Sequence, residues 1–171
     1  SRLSFGVESA LSRSGSDVLP IPVFASLGWN YKLSDIAAAV AQVQLGRLDS
    51  IIKGRARAAA GYAELLGGSE LFELPAVAEG RTHPYQTYAL TIAAEIDRDL
   101  MAVRLRELGI GCNIGTFACH LQPVYGTSDR CPVSADLFAR HLAIPMHAEL
   151  SDADVERVSA AVIDTAATCL R

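Results

Sequence analysis

The stretch GWNYKLSDIAAA at residues 28–39 introduces the strongest pattern in this 171-residue sequence. Within it, Ser34 can cap a helix, and Asp35 suits the positive first turn. Apolar residues then recur every three or four positions as far as Leu66, after which two consecutive glycines end the pattern. We therefore predict one long amphipathic helix over residues 34–66.

Three glycines interrupt this helical pattern, at Gly46, Gly54 and Gly61. Each costs about 1 kcal/mol relative to alanine in a helix interior. We expect them to permit either close packing against a neighbouring element or a bend.

The rest of the chain alternates between short strands and helices. Apolar alternation and turn residues predict strands over 71–75, 85–92, 110–114 and 142–147. Helices are predicted over 97–108 (stopped by Gly109), over 132–141, and from Ser151 onward, where Asp154 takes the acidic position of a capping box. Pro145 predicts that the last strand lies at an edge, because proline cannot donate to a strand ladder.

This order of elements predicts an α+β fold, in which a long helix precedes a small sheet covered on one face by helices. We divide the chain into three regions. Residues 1–27 form an arm or the tail of a larger protein, 28–68 hold the long helix, and 69–171 form a small α+β domain.

Composition excludes several classes of protein. The chain has 15 Lys+Arg against 19 Asp+Glu, for a net charge of −4, and is 50% hydrophobic and 20% charged. It is therefore not a disordered acidic chain, and it lacks the basic stripe of a nucleic-acid binder. No run of about 18 apolar residues predicts a membrane span. Four cysteines are too few for a disulfide scaffold, so we expect reduced thiols in a cytoplasmic protein.

The usual catalytic and metal motifs do not emerge from the sequence. Cys112, Cys119, His120 and Cys131 lack the spacing of a zinc site, and buried thiols are the preferred interpretation. Cys119 and His120 are neighbours whose side chains point to opposite sides of an extended segment, which excludes a nucleophile pair. His83, His141 and His147 are interpreted as structural histidines. No phosphate-binding glycine loop is present.

The segment that precedes the long helix leaves two interpretations open. Asn30 and Lys32 stand immediately before a helix N-terminus, where backbone N–H groups and the helix dipole favour an anion. The alternative is an ordinary helix cap with an aromatic staple.

The same segment resembles a family signature. Residues 28–39 are similar to the run G-[YF]-N-[YF]-R-[ML]-[ST]-[DE]-x-x-A-A of the DegT/DnrJ/StrS aminotransferases. Further similarities follow in order: QLxxL at 44–48, YQTY at 85–88, GIG at 109–111, GTFA at 115–118, HLQP at 120–123, LxxPMH at 142–147 and LSDxDV at 150–155. Together they extend the resemblance from Gly28 to the C-terminus.

The resemblance implies a pyridoxal 5′-phosphate (PLP) enzyme of the aspartate-aminotransferase fold that acts on a nucleotide-linked keto-sugar. In such enzymes the Schiff-base lysine, the aspartate that pairs with the pyridine nitrogen and the ring-stacking aromatic belong to a large N-terminal domain, which we expect to precede Ser1. Lys32 and Lys53 are the only lysines here. We therefore expect no catalytic residue in this chain, which would be inactive alone. The resemblance implies that it corresponds to the long interdomain helix and the C-terminal small domain of fold-type-I enzymes.

The resemblance also implies site residues. Asn30 would reach the PLP phosphate of the partner subunit in a homodimer, and Lys32, at the usual arginine position, would keep the charge without the bidentate fork. His120 and Thr116 lie on the loop expected near the substrate. Gly115-Thr116 replaces a His-Tyr pair of many members, which leaves the sugar open. No metal site is implied.

Two other functions stay open at this point. The chain could be a non-catalytic remnant that acts as a dimerisation or binding module. It could also belong to a PLP-dependent sugar dehydratase, in which a histidine replaces the Schiff-base lysine.

Overall fold

The computed structural model describes residues 33–125 and 130–171. Contacts between Cα atoms divide the chain into two units, Ser1–Gly46 and Arg47–Arg171. In the first unit the described part contains helix α1 (Asp35–Gly46), which has no buried residue. Ser34 caps it as predicted, since its hydroxyl accepts a bond from the Ala37 N–H at 3.3 Å.

The predicted single helix is interrupted. Helix α1 ends at Gly46, and helix α2 (Leu48–Leu66) begins after Arg47. Glycine is the weakest ordinary helix former, and at Gly46 no heavy atom lies where a side chain could pack. The interruption therefore follows the first of the three glycines, and the division between the two units falls inside the predicted helix.

The second unit is built on a four-stranded antiparallel sheet. Its strands are β1 (Phe72–Glu73), β2 (Tyr88–Ile92), β3 (Asn113–Ile114) and β4 (His141–Ile144), in the spatial order β1-β2-β4-β3. The prediction that the last strand lies at an edge is wrong. Strand β4 pairs with β2 on one side and β3 on the other, and Pro145 follows its last residue, so the missing N–H breaks no ladder bond.

The strands are shorter than the sequence predicted. In particular, β2 begins at Tyr88 and not at Tyr85, because Tyr85 has a positive φ of 46° and its N–H bonds to Nδ1 of His83 at 3.0 Å. This local turn keeps Tyr85 out of the ladder, although its ring still lies 6.1 Å from that of Tyr88.

Three helices cover one face of the sheet. They are α2, α3 (Arg98–Glu107) and α5 (Asp152–Ala167). The core comprises alternate strand residues and the apolar faces of these helices, including Tyr62, Leu66, Tyr88, Leu90, Ile92, Met101, Leu105, Leu142, Val158 and Val162. Burial raises the pKa of Tyr88 to about 12 and also raises that of Tyr62, whose hydroxyl donates to the carbonyl of Pro145 at 2.9 Å.

Two of the helix glycines allow the close packing that was expected of them. A Cβ on Gly54 would overlap the carbonyl oxygen of Ala148, and one on Gly61 would lie 3.0 Å from Cγ1 of Val155. Helix α2 therefore approaches the segment before α5, and α5 itself, through positions without side chains.

The predicted caps are confirmed. Asp97 accepts bonds from the N–H groups of Asp99 and Leu100, each at 3.0 Å, which lowers its pKa. Gly109 has a φ of +73°, as the stop of a helix requires. Ser151 and Asp154 form the complete capping box of α5.

The opposite face of the sheet is not bare, contrary to the prediction that helices cover one face only. Helix α4 (Pro132–Arg140) lies near β2, and its Leu137 lines a cavity together with Ala89, Thr91 and His141. These three strand residues point away from the main core, because they alternate with Leu90 and Leu142. Among the described helices, none is both long and apolar enough to cross a membrane.

Candidate functional site

The predicted site residues fall in two parts of the chain. Asn30 and Lys32 lie outside the described residues. Thr116 and His120 lie on the segment between β3 and α4, and both are half-buried. The structure therefore places half of the predicted site, and this half can be built from its local geometry.

Thr116 lines an open cavity of about 430 Å³. The other lining residues come from the start of α4 and from the residue before it: Cys131, Pro132, Val133, Ser134 and Leu137. Helix α4 begins with proline at its first turn, and no side chain caps its N-terminal N–H groups. The hydroxyls of Thr116 and Ser134 and these N–H groups together can bind a polar or anionic group.

His120 belongs to a separate local structure. It lies in the 3₁₀ helix Cys119–Leu121, which is followed directly by a second one, Pro123–Tyr125. Ala118, which is fully buried, anchors the turn, because its carbonyl accepts bonds from the Leu121 N–H at 3.1 Å and from the Gln122 side-chain amide at 3.4 Å. His120 is not among the residues that line the Thr116 cavity.

An aromatic contact fixes the segment that carries Thr116. The rings of Phe117 and Phe138 lie 5.9 Å apart, although Phe117 is 61% exposed. This contact joins the loop after β3 to helix α4 and so holds the two walls of the cavity together.

The expectation that Cys112, Cys119 and Cys131 are buried thiols is correct only for Cys112. Cys112 is buried with its thiol 3.3 Å from the carbonyl of Ala102, and burial raises its pKa; Cys169 is buried as well. Cys119 and Cys131, by contrast, are exposed, because both lie on the irregular segment beyond the core. All four are unpaired, and no group of three or more potential ligands in the described ranges could hold a metal ion.

The described residues do not fit PLP. Covalent attachment of this cofactor requires a lysine held in a cavity, together with a partner for its ring nitrogen. Lys53 is exposed on α2 and lines neither the Thr116 cavity nor the cavity on the sheet face, and Lys32 lies outside the described residues. The described cavities therefore contain no lysine that could attach the cofactor.

The sequence interpretation missed one cavity. It lies on the sheet face under α4 and contains Glu73, Thr91 and His141, the last of which was interpreted as a structural histidine. Strand register places these three residues side by side. The only signal in the sequence was the alternation of polar with apolar residues along the strands, which predicts that they share a face but not that a cavity lies above them.

Comparison with known proteins identifies the family. The sequence model of the DegT/DnrJ/EryC1/StrS aminotransferase family matches residues 4–163, and the chain belongs to this family. The resemblance carried by the GWNYK segment and the later motifs is thereby confirmed. PLP is the cofactor of these enzymes.

Solved structures show a similar fold. The aminotransferase TlmJ from Streptoalloteichus hindustanus is 29% identical, with a TM-score of 0.79 over 86% of this chain and 40% of that one. A family member from Brucella abortus is 26% identical, with a TM-score of 0.74 over 93% of this chain and 42% of that one. A putative sugar aminotransferase from Streptococcus pneumoniae in its PLP form, 20% identical, has a TM-score of 0.81 over 88% and 40% of the two chains and supports the fold alone. The chain thus spans about two fifths of the length of these relatives.

Proposed function

We propose that this chain is the C-terminal small domain of a PLP-dependent aminotransferase that acts on a nucleotide-linked keto-sugar. One observation carries the proposal: the relatives match nearly all of this chain, while the chain covers about two fifths of each relative. The Schiff-base lysine then belongs to a segment of the enzyme other than the residues described here. The unpaired cysteines fit a reducing compartment, and the cytoplasm is part of the proposal.

The chain's own contribution is to bind and orient the substrate. Thr116 and Ser134 offer hydroxyls at the wall of the 430 Å³ cavity, and the uncapped start of α4 offers N–H donors for an anionic group of the substrate. His120 is assigned a second substrate contact on the same segment. PLP, when bound in the complete enzyme, carries the amino group, and the group that attaches it is supplied from outside the described residues.

Asn30 is assigned to the PLP phosphate of the partner subunit in a homodimer, with Lys32 as a second positive or donor group. Exchange of Asn30 for alanine in the complete enzyme should weaken PLP retention, because it removes a hydrogen-bond donor to a charged group, worth about 1.5–3 kcal/mol. Retention is measured by dialysis followed by absorbance. Unchanged retention would contradict the phosphate role; Asn113→Ala, at an exposed position of β3, serves as the control.

The codons upstream of Ser1 test the proposal directly. An open frame with a lysine in an S-x-x-x-K segment supports the aminotransferase, and a histidine at that lysine position supports the dehydratase. Absence of an open frame supports the remnant. On the protein itself, borohydride reduction after incubation with PLP should give no stoichiometric adduct on a single lysine by mass spectrometry, and such an adduct would contradict the assignment.

The second candidate, a non-catalytic dimerisation or binding module, is favoured by one observation. Helix α1 exposes Ile36 (82%), Val40 (59%) and Val43 (65%), which recur at helical spacing. Analytical ultracentrifugation of the chain tests the module when it is combined with the upstream codons. A stable dimer, together with the absence of an upstream open frame, would favour the non-catalytic module over the aminotransferase.

A further inference from the structure

We propose that the sheet face under α4 binds a small, neutral, polyhydroxylated molecule of about the size of a monosaccharide. The cavity there has a volume of about 340 Å³, near the lower end of the range of about 300–1,000 Å³ for small-molecule sites. The inference goes beyond the proposed function, which assigns no ligand to this face, and does not rest on it.

The floor of the cavity is a polar row that crosses three strands. Glu73 pairs with Thr91, and Thr91 pairs with His141, so the three side chains share one face of the sheet. Neighbouring strands lie about 4.8 Å apart, which sets a carboxylate, a hydroxyl and an imidazole in a line. Such a row can both donate to and accept from several hydroxyl groups of one molecule.

The fold leaves room for the imidazole at the end of this row. The N–H of Gly115 bonds to the carbonyl of His141 at 3.3 Å, and a Cβ on Gly115 would lie 2.9 Å from the Cβ atoms of both His141 and Ala89. A larger residue at Gly115 would therefore displace His141. The Nδ1 atom of His141 is enclosed and makes no hydrogen bond to any described residue, so a ligand in the cavity could contact only the remaining, accessible part of this half-buried imidazole.

The charges around the cavity exclude an anionic ligand. Glu73 contributes a carboxylate, whereas burial and the nearby Arg140 lower the pKa of His141 and keep its imidazole neutral near pH 7. Arg140 is already engaged, because its guanidinium binds Asp136 and donates to the carbonyl of Ile92 at 3.0 Å. An anion would meet repulsion from Glu73, and no arginine or lysine is among the described residues that line the cavity to compensate it.

The cavity also does not suit a metal ion. No group of three or more His, Cys, Asp or Glu in the part of the chain that the structure describes could hold one. Around the polar row, the remaining lining is mostly apolar and also includes two polar residues: Leu74, Pro75, Ala76, Ala89 and Leu137, with His83 and Thr87. A sugar ring combines hydroxyl groups with C–H faces, and so matches a polar floor with apolar walls.

D-glucose is the probe, titrated into the full chain, with glucose 6-phosphate as the anionic comparison. The chain has four histidines, and their imidazole resonances report binding by NMR. We expect saturable shifts at His141 and His83, which line the cavity, and none at His120 or His147, which do not. Glucose 6-phosphate should bind roughly tenfold more weakly or not at all. No saturable shift at His141, or tighter binding of the phosphate, would overturn the proposal.

Two matched variants locate the site. Glu73→Gln keeps the size of an exposed side chain and removes its charge, so it should fold and weaken glucose binding roughly tenfold. Glu70→Gln, also exposed but outside the cavity, should leave binding unchanged. Equal dissociation constants for Glu73→Gln and the unmodified chain would contradict the assignment even if sugar bound elsewhere.

Discussion

His141 lies between two arginines that bind other groups. Arg98, which is buried, donates to the carbonyl of His141 at 2.7 Å and binds Asp99, while Arg140 binds Asp136. Burial first, and then the charge of Arg140, lowers the pKa of the His141 imidazole below 6.5. Protonation of this side chain therefore costs more in the folded state than in the unfolded chain.

The resulting prediction concerns acid stability. As the pH falls from about 7 to 5, the unfolded state binds a proton at His141 more readily than the folded state, so the free energy of unfolding should decrease. His141→Gln should flatten this slope, measured as the urea midpoint at each pH. His120→Gln is the control and should retain it. An identical slope in His141→Gln would show that another group causes the dependence.

A second acid transition is expected at lower pH. The hydrogen bonds of Asp97, Asp136 and Asp154 hold the pKa of each carboxyl below 3.8. Their stabilisation is complete above that value and is lost as the pH falls through the folded-state values. The pH range in which His141 affects stability lies above the range in which these carboxylates do. The dependence of stability on pH that His141 causes can therefore be measured without interference from the carboxylates.

At the scale of elements, helix α2 depends on close approach through its glycines. Gly54→Ala should destabilise the fold by about 1–3 kcal/mol, because the new Cβ overlaps the backbone of Ala148 and cannot be relieved by a rotamer change. Gly46→Ala, where nothing lies within 4 Å of the Cβ, is the matched control and should be neutral or stabilising. Thermal unfolding measures both; equal effects would contradict the packing argument.

Apart from the interruption of the long helix at Arg47, the helices were predictable to within a few residues because their end signals are local. Asp97, Gly109 and Ser151 each act on backbone groups of the adjacent turn. The ends of the strands and the edges of the sheet were not predictable, because they depend on pairing between segments that are distant in the sequence. Pro145 looked like an edge marker until the pairing of β4 with both neighbours was known.

The candidate site residues were chosen from motifs, and their role in binding stays a prediction. Thr116 was selected by resemblance, yet the residues that form its cavity, such as Cys131 and Ser134, come from the start of α4. No local pattern indicates that these segments meet. The polar row of Glu73, Thr91 and His141 was unpredictable for the same reason, because the pairing of distant strands brings these residues together.

For the molecule as a whole, the core belongs to the second unit. All described core residues lie between Ala58 and Cys169, and α1 has no buried residue. A chain restricted to 47–171 should therefore retain the thermal midpoint of the full chain to within about 4–8 °C, the shift caused by roughly 1 kcal/mol in a small domain. Loss of cooperative unfolding would show that residues 1–46 contribute to the core.

The order β1-β2-β4-β3 has a consequence for the timing of folding during synthesis. The central pair joins Tyr88 to Ile144, and α2 packs against α5, which begins only at Asp152. Neither contact can form until the segment from Ile144 through helix α5 has left the ribosome. Folding is therefore late and slow compared with that of a protein whose contacts are mostly local in sequence. Until α5 has been synthesised, the apolar face of α2 stays exposed.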